Sequence, residues 1–312
     1  MKREGIAILL LILGLSGTPA LGQEVSIINL YDAFGHEKEG VTLDWGYSAL
    51  IRYNGKTILF DAGNSADTLA GNAGALGVDL REVSLAVLSH RHNDHASGFD
   101  HLLKIDPEVD LYLPNDDILG APFEWTFSKS SEGLPPEQAY FRGKEGAIVY
   151  NPGDRFLHAN TEFIDSTTEI APGIFVVPTQ STLTGEFSKY PPDDKEARFW
   201  GLPELSLALS TDDGVVVIVG CSHSGVEKIV AKVKDDLKRD VALVIGGFHL
   251  LPYSAEKITQ VVKTLKENLG VKRVAPAHCT GNLAFKIFRK LYGDDYMFAG
   301  LGTEVILRNK KK

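Results

Sequence analysis

Residues Ser89–His95 read Ser-His-Arg-His-Asn-Asp-His and carry the strongest signal in the sequence. His90 and His92 stand two apart on an extended chain, so their side chains point to the same side. Asp94 and His95 follow in the turn, at the start of a helix. Imidazole and carboxylate together suit zinc or iron, and a cluster of this density can serve two ions. The stretch therefore predicts a metal site.

An apolar strand precedes this cluster, and three similar strands follow later in the chain. The four strands are predicted over Ser84–Ser89, Val215–Gly220, Val241–Ile245 and Val271–Pro276. Continuous apolar runs of this kind are typical of strands that are buried on both faces. Helical patterns of apolar residues follow the second and third strands. The recurring unit of strand, turn and helix predicts an α/β fold.

Each of the later strands also ends at a histidine. Val215–Gly220 leads to Cys221, Ser222 and His223, while the next two strands lead to His249 and His278. The carboxyl ends of strands in an open α/β sheet share one edge, where ligands bind. We therefore expect four segments to bring histidine to one edge. The other three histidines are predicted to be surface or structural residues: His36, His101 and His158.

The N-terminal third and the middle of the chain follow other patterns. Val25–Leu30, Ser48–Tyr53 and Lys56–Phe60 predict an antiparallel meander, with Asn54-Gly55 as its hairpin turn. Residues 105–200 are irregular, and long irregular segments in compact domains are usually functional or disordered. We interpret them as an insertion that covers the substrate, or alternatively as a satellite core with a few short strands.

Composition excludes several classes of protein. The chain has 312 residues, 44% of them hydrophobic and 23% charged, which is typical of a globular protein. Its net charge of −9 argues against a role in coating nucleic acid, because phosphate contacts need clustered Lys and Arg. Only two cysteines are present, so the chain is not a disulfide scaffold. We expect a small-molecule substrate, and the oligomeric state stays open.

The first residues are predicted to be a secretory signal peptide. Lys2 and Arg3 precede an apolar run from Ile6 to Leu15, and small residues follow up to Gly22. The run is too short to span a bilayer comfortably, although an uncleaved anchor is the alternative. We therefore expect residues 1–22 to be removed and the mature protein to be periplasmic or secreted, without stable membrane insertion.

These motifs resemble those of the metallo-β-lactamase superfamily. Ser89–His95 is similar to its signature, and Ile58–Gly63 to the strand and turn that precede it. Gly220–Gly225, Gly246–Leu250 and His278–Gly281 resemble the branch of dihydropterin-ribofuranosylaminobenzene-phosphate synthase-like proteins. The resemblance implies an αββα sandwich of two mixed sheets with helices on the outer faces. It also implies that residues 23–312 form a single domain of this kind.

The resemblance implies metal ligands residue by residue. His90 and His92 would hold a first ion, and Asp94, His95 and His278 a second. The histidine that the superfamily usually carries after Gly173 is missing, and His223 is our candidate to replace it. We expect one or two zinc ions per chain, with iron or manganese as alternatives.

Three further residues have roles that the sequence leaves open. Cys221 aligns with the aspartate that usually bridges the ions, and it could be a ligand, a packed residue or the disulfide partner of Cys279. Asp61 is interpreted as orienting a ligand histidine, or else as an ordinary turn residue. His249 has no transferable ligand role and could be a ligand, a proton donor or a substrate contact.

The expected activity follows from metal chemistry. A bound metal lowers the pKa of its water, and Asp94 can orient that water. We predict an exported metal-dependent hydrolase of an ester, lactone, amide or phosphoester, with Asp94 and His249 as catalytic residues. The alternative is a non-hydrolytic carbon–nitrogen bond-forming synthase that acts on a phosphorylated pterin precursor. The export signal argues against this synthase. A third possibility is an exported protein that binds a metal or ligand without catalysis.

Overall fold

The structure of the protein is a computed structural model that describes residues 24–36, 38–120, 159–181 and 201–308, together with residues 132, 135 and 156. The predicted signal peptide and His158 lie outside the described residues, so the predictions about them stay predictions. Within the described ranges, no helix combines the length and the apolar character that a membrane span requires.

The N-terminal meander is confirmed. Its strands are β1 (Val25–Tyr31), β2 (Ser48–Tyr53) and β3 (Lys56–Phe60), and neighbouring strands pair antiparallel. Asn54 and Gly55 both adopt positive φ, at 49° and 75°. Two successive residues with positive φ form the hairpin turn that matches the twist of its strands, and Asn-Gly tolerates that conformation best.

The meander belongs to the first of two mixed sheets. Its described strands run in the order β13-β1-β2-β3-β4-β5-β6. The added strands are β4 (Leu85–Val87), β5 (Asp110–Pro114), β6 (Asn160–Ile164) and β13 (Glu304–Leu307). The pairs from β3 to β6 are parallel, whereas β13 pairs antiparallel with β1.

The second sheet carries the other motif strands. Its described order is β12-β11-β10-β9-β8-β7. The strands are β7 (Thr168–Ala171), β8 (Ile174–Ser181), β9 (Leu202–Thr211), β10 (Gly214–Val219), β11 (Val241–Gly247) and β12 (Arg273–Ala277). The neighbours β10, β11 and β12 are parallel, and the remaining pairs are antiparallel.

Helices cover the outer faces of both sheets. Their bounds are α1 (Ala66–Leu76), α2 (Asn93–Ala96), α3 (Phe99–Ile105), α4 (Val226–Leu237), α5 (Ala255–Lys263) and α6 (Asn282–Tyr292). A π-helical turn, Thr264–Asn268, continues α5. Apolar residues of α1 and α3 pack on the first sheet, and those of α4, α5 and α6 pack on the second.

The main core lies between the two sheets. Ile51, Phe60 and Val87 from the first sheet belong to one buried cluster with Leu207 and Ile218 from the second. Each large apolar side chain of this kind contributes roughly 1.5–3 kcal/mol when it is fully buried. Helix, sheet, sheet and helix therefore form four layers, and the αββα fold implied by the resemblance is confirmed.

Two expectations about the architecture need correction. The four motif strands do not share one sheet, because β4 lies in the first sheet and β10, β11 and β12 lie in the second. Residues 105–200 are also not all an insertion, since β5, β6, β7 and β8 are strands of the two sheets. Most of residues 121–158 and all of residues 182–200 lie outside the described residues.

Candidate metal centre

The histidine-bearing turns of both sheets meet at one place. His90, at the end of β4 in the first sheet, has its ring centroid 4.3 Å from that of His95 and 4.8 Å from that of His223. The rings of His95 and His278 lie 5.0 Å apart. His223 follows β10 and His278 follows β12, both in the second sheet. The shared site expected from the sequence thus forms between two sheets rather than along one.

A first group of donor atoms comes from His90, Cys221 and His223. One ligand atom from each lies within 4.8 Å of the others, and all three residues are buried. His92 joins this group, because its Nδ1 lies 3.1 Å from Nε2 of His90. Two nitrogens on one tetrahedral zinc ion are separated by about 3.3 Å. The spacing therefore suits two imidazoles on one cation.

A second group comes from Asp94, His95, Cys221 and His278, again with ligand atoms within 4.8 Å of one another. Asp94 Oδ2 lies 3.7 Å from Nε2 of His95 and 3.5 Å from Nε2 of His278. The residues of the two groups together are those that the sequence analysis proposed as ligands.

Cys221 belongs to both groups. Its sulfur lies 3.1 Å from Nε2 of His95 and 3.5 Å from the sulfur of Cys279. Both cysteines are buried free thiols, so the structure does not contain the disulfide that the sequence left open. His249 and Cys279 form a third set of possible donors with Cys221. The position of its sulfur favours Cys221 as a ligand over a residue that only packs.

Asp61 holds two of these histidines in place. Its Oδ1 accepts a hydrogen bond from Ser89 N at 2.6 Å, and its Oδ2 accepts from Ser89 Oγ at 2.7 Å and from His95 Nδ1 at 2.6 Å. Since the hydroxyl proton of Ser89 is given to Asp61, Ser89 Oγ must accept from His90 Nδ1, 2.9 Å away. Both histidines therefore keep an Nε2 lone pair for a metal, as the orienting role requires.

The surroundings of His90, His92 and His223 favour the neutral form of their imidazole rings. Burial and neighbouring imidazoles hold the pKa of His90 well below its usual value. Burial lowers the pKa of His92 to about 4, and burial with the charge of His249 lowers that of His223 to about 2. A metal binds the neutral ring, so these three side chains are in the form that it needs at neutral pH.

The other side of the cluster pairs a carboxylate, Asp94, with a protonated imidazole, His278. Burial alone would raise the pKa of Asp94, but the nearby imidazoles of His278 and His95 hold it well below its usual range. Burial disfavours a charged ring at His278, yet Cys279, Asp94 and Asp32 outweigh it and raise its pKa to about 9. A metal at this position therefore displaces a proton from His278.

The unpaired ring nitrogens of the cluster show that its residues can hold a cation. Among the described side chains, buried ring nitrogens without a hydrogen-bond partner include Nε2 of His223 and both ring nitrogens of His278. Burying a polar group without a partner costs free energy. One ring nitrogen each from His223 and His278, together with the thiol of Cys221 and the carboxylate of Asp94, supplies the donor chemistry that zinc or iron takes.

Two buried carboxylates in this region were missed from the sequence. Glu204 accepts hydrogen bonds from the backbone N–H groups of His223 and Ser224, at 2.9 and 2.8 Å, and burial raises its pKa. Asp32 accepts from the backbone N–H of His278 at 3.0 Å. The sequence did offer a signal for each. Glu204 is a single carboxylate within the apolar run of β9, and Asp32 directly follows β1.

The remaining described histidines lie elsewhere. His36 is exposed, with its ring centroid 4.8 Å from that of Phe298, and His101 lies in α3. Neither belongs to the groups of donor atoms found in the described part of the chain.

Two clefts reach the cluster at different histidines. The lysine cleft, of about 600 Å³, touches the cluster at His223 and is also lined by Lys228 and Lys232 of α4 and by Asp117 and Asp165. The aromatic cleft, of about 400 Å³, touches it at His278 and is lined by Phe34, Trp45, Leu251, Leu283 and Phe285. A cavity with charged lining residues and a largely apolar cavity therefore each border one histidine of the cluster.

The chain is similar in sequence and in fold to known proteins. The model of the metallo-beta-lactamase superfamily matches residues 42–185. A solved structure described as a metal-dependent hydrolase of the beta-lactamase superfamily is 26% identical, with a TM-score of 0.67, and the match covers 91% of this chain and 100% of that one. In its fold, in its motifs and over residues 42–185, the chain is therefore similar to proteins of the metallo-β-lactamase superfamily.

Two curated proteins of Methanocaldococcus jannaschii are also similar to this chain. One is named 7,8-dihydropterin-6-methyl-4-(beta-D-ribofuranosyl)-aminobenzene-5'-phosphate synthase and is 28% identical over 258 residues, covering 77% of this chain and 81% of that protein. The other, an uncharacterized protein, is 28% identical over 249 residues, with 79% and 86% coverage.

These similarities overturn the expected activity. We predicted an exported hydrolase of an ester, lactone, amide or phosphoester, but the curated relative whose name states a reaction is a synthase. The prediction of a hydrolase was wrong, and the synthase named as its alternative is better supported. The error has a physical origin, because a leader governs where a chain is delivered and carries no information about the reaction at its metal centre.

Proposed function

We propose that this protein is a metal-dependent synthase that joins an aryl amine carrying a sugar phosphate to a phosphorylated pterin precursor. The observation that carries the proposal is the pair of clefts that reach one cluster of donor atoms at His223 and at His278. A reaction between two organic substrates needs a binding region for each, with the reacting atoms brought together between them. The likeness to a synthase whose named product contains a dihydropterin and an aminobenzene supports the same class of reaction.

The proposed bond changes are balanced within the two substrates. The amine nitrogen forms a bond to the carbon attached at position 6 of the pterin. The bond from that carbon to the oxygen of its phosphate ester breaks, and the phosphate leaves with the electron pair. The amine loses one proton, so the products are the joined compound and phosphate, without oxidation or reduction.

The donor groups would hold zinc, with His90, His92 and His223 on one side and Asp94, His95 and His278 on the other. Cys221 would serve both groups, since its sulfur belongs to each of them. A bound zinc ion is a Lewis acid that stabilises negative charge on a phosphoryl oxygen. Iron would suit the same soft and borderline ligands.

Other side chains have roles in binding and proton transfer. His249, whose ring centroid lies 4.3 Å from that of His223, is our candidate to accept the proton of the amine. Lys228 and Lys232 lie four residues apart on α4 and therefore share one of its faces. Both line the lysine cleft, where they would bind the sugar phosphate while Asp117 and Asp165 accept hydrogen bonds from sugar hydroxyls.

The test is a condensation assay with the full chain loaded with zinc. Its substrates are the phosphate ester of 6-hydroxymethyl-7,8-dihydropterin and 4-(β-D-ribofuranosyl)aminobenzene 5′-phosphate. We expect mass spectrometry to detect a compound whose mass is the sum of the two substrates less phosphoric acid. The His92→Ala variant should lose this product, while His101→Ala, outside the donor groups, should retain it. Absence of the joined compound from the zinc-loaded protein would reject the proposed reaction.

A further inference from the structure

The aromatic cleft is built from apolar side chains that stand open at the edge of the cluster. Trp45 is 45% exposed, Leu251 is 56% exposed and Leu283 is 47% exposed. All three line the cleft together with Phe34 and Phe285. Exposed apolar side chains that are gathered at one place generally mark a binding surface.

Trp45 is fixed beside the cluster by its neighbours in the chain. Asp44 N donates to the carbonyl oxygen of Asp32 at 3.2 Å, and Tyr47 N donates to that of Asp94 at 3.1 Å. The carboxylate of Asp44 accepts hydrogen bonds from the N–H of Trp45 and from the hydroxyl of Tyr31. The indole is therefore held on a tethered loop, with its ring centroid 4.9 Å from that of His278.

The opposite wall of the cleft begins at α6. Gly281 precedes this helix with a φ of 90°, and a Cβ atom at this position would lie 2.8 Å from Cδ2 of Leu251. The absence of a side chain at Gly281 therefore lets Leu251 reach the cleft. Phe285, one turn into α6, packs on Phe34 with ring centroids 5.0 Å apart.

We propose that the aromatic cleft is the subsite that binds the flat pterin ring, with Trp45 as the stacking surface. This assignment rests on the proposed function. Aromatic rings prefer stacked or edge-to-face contacts with other rings, and indole offers the largest face among the side chains. A cavity of about 400 Å³ that borders His278 suits one bicyclic ring and is too small for a macromolecule. The charged lysine cleft is left for the sugar phosphate.

The subsite is tested by isothermal titration calorimetry on the full chain, without turnover. The probes are 6-methylpterin, 4-aminobenzamide and the saturated amide cyclohexanecarboxamide. We expect 6-methylpterin to bind more tightly than either amide, because it has the larger aromatic face. Trp45→Ala should raise the Kd of 6-methylpterin about tenfold, and Trp45→Phe should recover most of that loss.

Leu43→Ala is the matched control. Leu43 is 51% exposed and lies two positions before Trp45, but it does not line the aromatic cleft. This variant should keep the Kd of the wild type, and circular dichroism should show that all three variants are folded.

Several results would overturn the subsite. They are an unchanged Kd in folded Trp45→Ala, tighter binding of 4-aminobenzamide than of 6-methylpterin, or equal binding of the saturated amide. The condensation assay fails independently of this one. Pterin binding that depends on Trp45, without a joined product, supports the subsite and rejects the proposed reaction. If the joined product forms but pterin binding does not depend on Trp45, the proposed reaction is supported and the subsite is rejected.

Discussion

At the residue scale, the donor that sets this centre apart is the sulfur of Cys221, which belongs to both ligand groups. Burial raises the pKa of this thiol well above its usual value, so a thiolate forms there only with a cation beside it. We expect Cys221→Ala to lose at least one bound ion per chain, as measured by elemental analysis after gel filtration.

Two variants complete this prediction. Cys221→Asp should retain two ions and shift the preference toward harder metals, because oxygen replaces sulfur. Cys279→Ala should keep the metal content of the wild type, since Cys279 belongs to neither of the two main groups. Full metal content in Cys221→Ala would show that Cys221 only packs.

A second prediction at this scale concerns Asp61, which accepts hydrogen bonds from His95 and Ser89. Asp61→Asn removes the charge that fixes the proton on Nδ1 of His95. Groups that orient a ligand histidine typically change metal affinity by 10- to 100-fold, so we expect a rise of about that size in the Kd for zinc. The measurement is a competition titration with a chelating dye. The exposed Asp235→Asn is the control, and a wild-type Kd in both variants would contradict the orienting role.

At the element scale, the start of α3 depends on close contact with the turn that carries Asp61. A Cβ atom on Gly98 would lie 1.8 Å from the carbonyl oxygen of Ala62. We expect Gly98→Ala to lower the free energy of unfolding by about 1–3 kcal/mol, because the backbone must shift.

Gly74→Ala is the matched change. Gly74 lies in α1, and nothing lies within 4 Å of the position of its missing Cβ. Alanine there should raise the free energy of unfolding by about 0.5–1 kcal/mol. Urea denaturation measures both variants, and equal effects would show that the contact at Gly98 is unimportant.

The elements also show how far the sequence could predict the structure. The meander and the four apolar strands were readable, because alternation, continuous apolar runs and Asn-Gly turns are local signals. The sequence could not predict that β4 and β10 lie in different sheets, because an apolar run does not reveal which partner will bury it. Glu204 was missed for the same reason, because its partners, the N–H groups of His223 and Ser224, are about 20 residues away. His90, His92, Asp94 and His95 were found because their spacing is itself the signal.

At the scale of the whole molecule, the cluster links stability to pH in the metal-free protein. The pKa values of His92 and His223 lie at about 4 and about 2, below the usual 6.5. Such groups bind protons more readily when unfolded, so their stabilising contribution is present above pH 6.5 and is lost as the pH falls toward the folded values. Asp32, whose pKa burial raises to about 6, acts in the opposite direction.

Three imidazoles with lowered pKa values, those of His90, His92 and His223, oppose the one carboxyl of Asp32, so we expect the free energy of unfolding to decrease below pH 6.5. Urea denaturation of chelator-treated protein at a series of pH values measures this dependence. His223→Gln should flatten it, since glutamine does not titrate. An identical slope in that variant would contradict the assignment.

In the proposed reaction, one metal centre joins two substrates that bind in two clefts. We would follow the fate of the dihydropterin phosphate ester, as the fraction consumed that appears as the amine adduct rather than as 6-hydroxymethyl-7,8-dihydropterin. With zinc and the aryl amine phosphate present, we predict nearly one adduct per pterin ester consumed, and no consumption after chelation. Consumption at the same rate without the amine, with 6-hydroxymethyl-7,8-dihydropterin as the product, would contradict the proposed condensation.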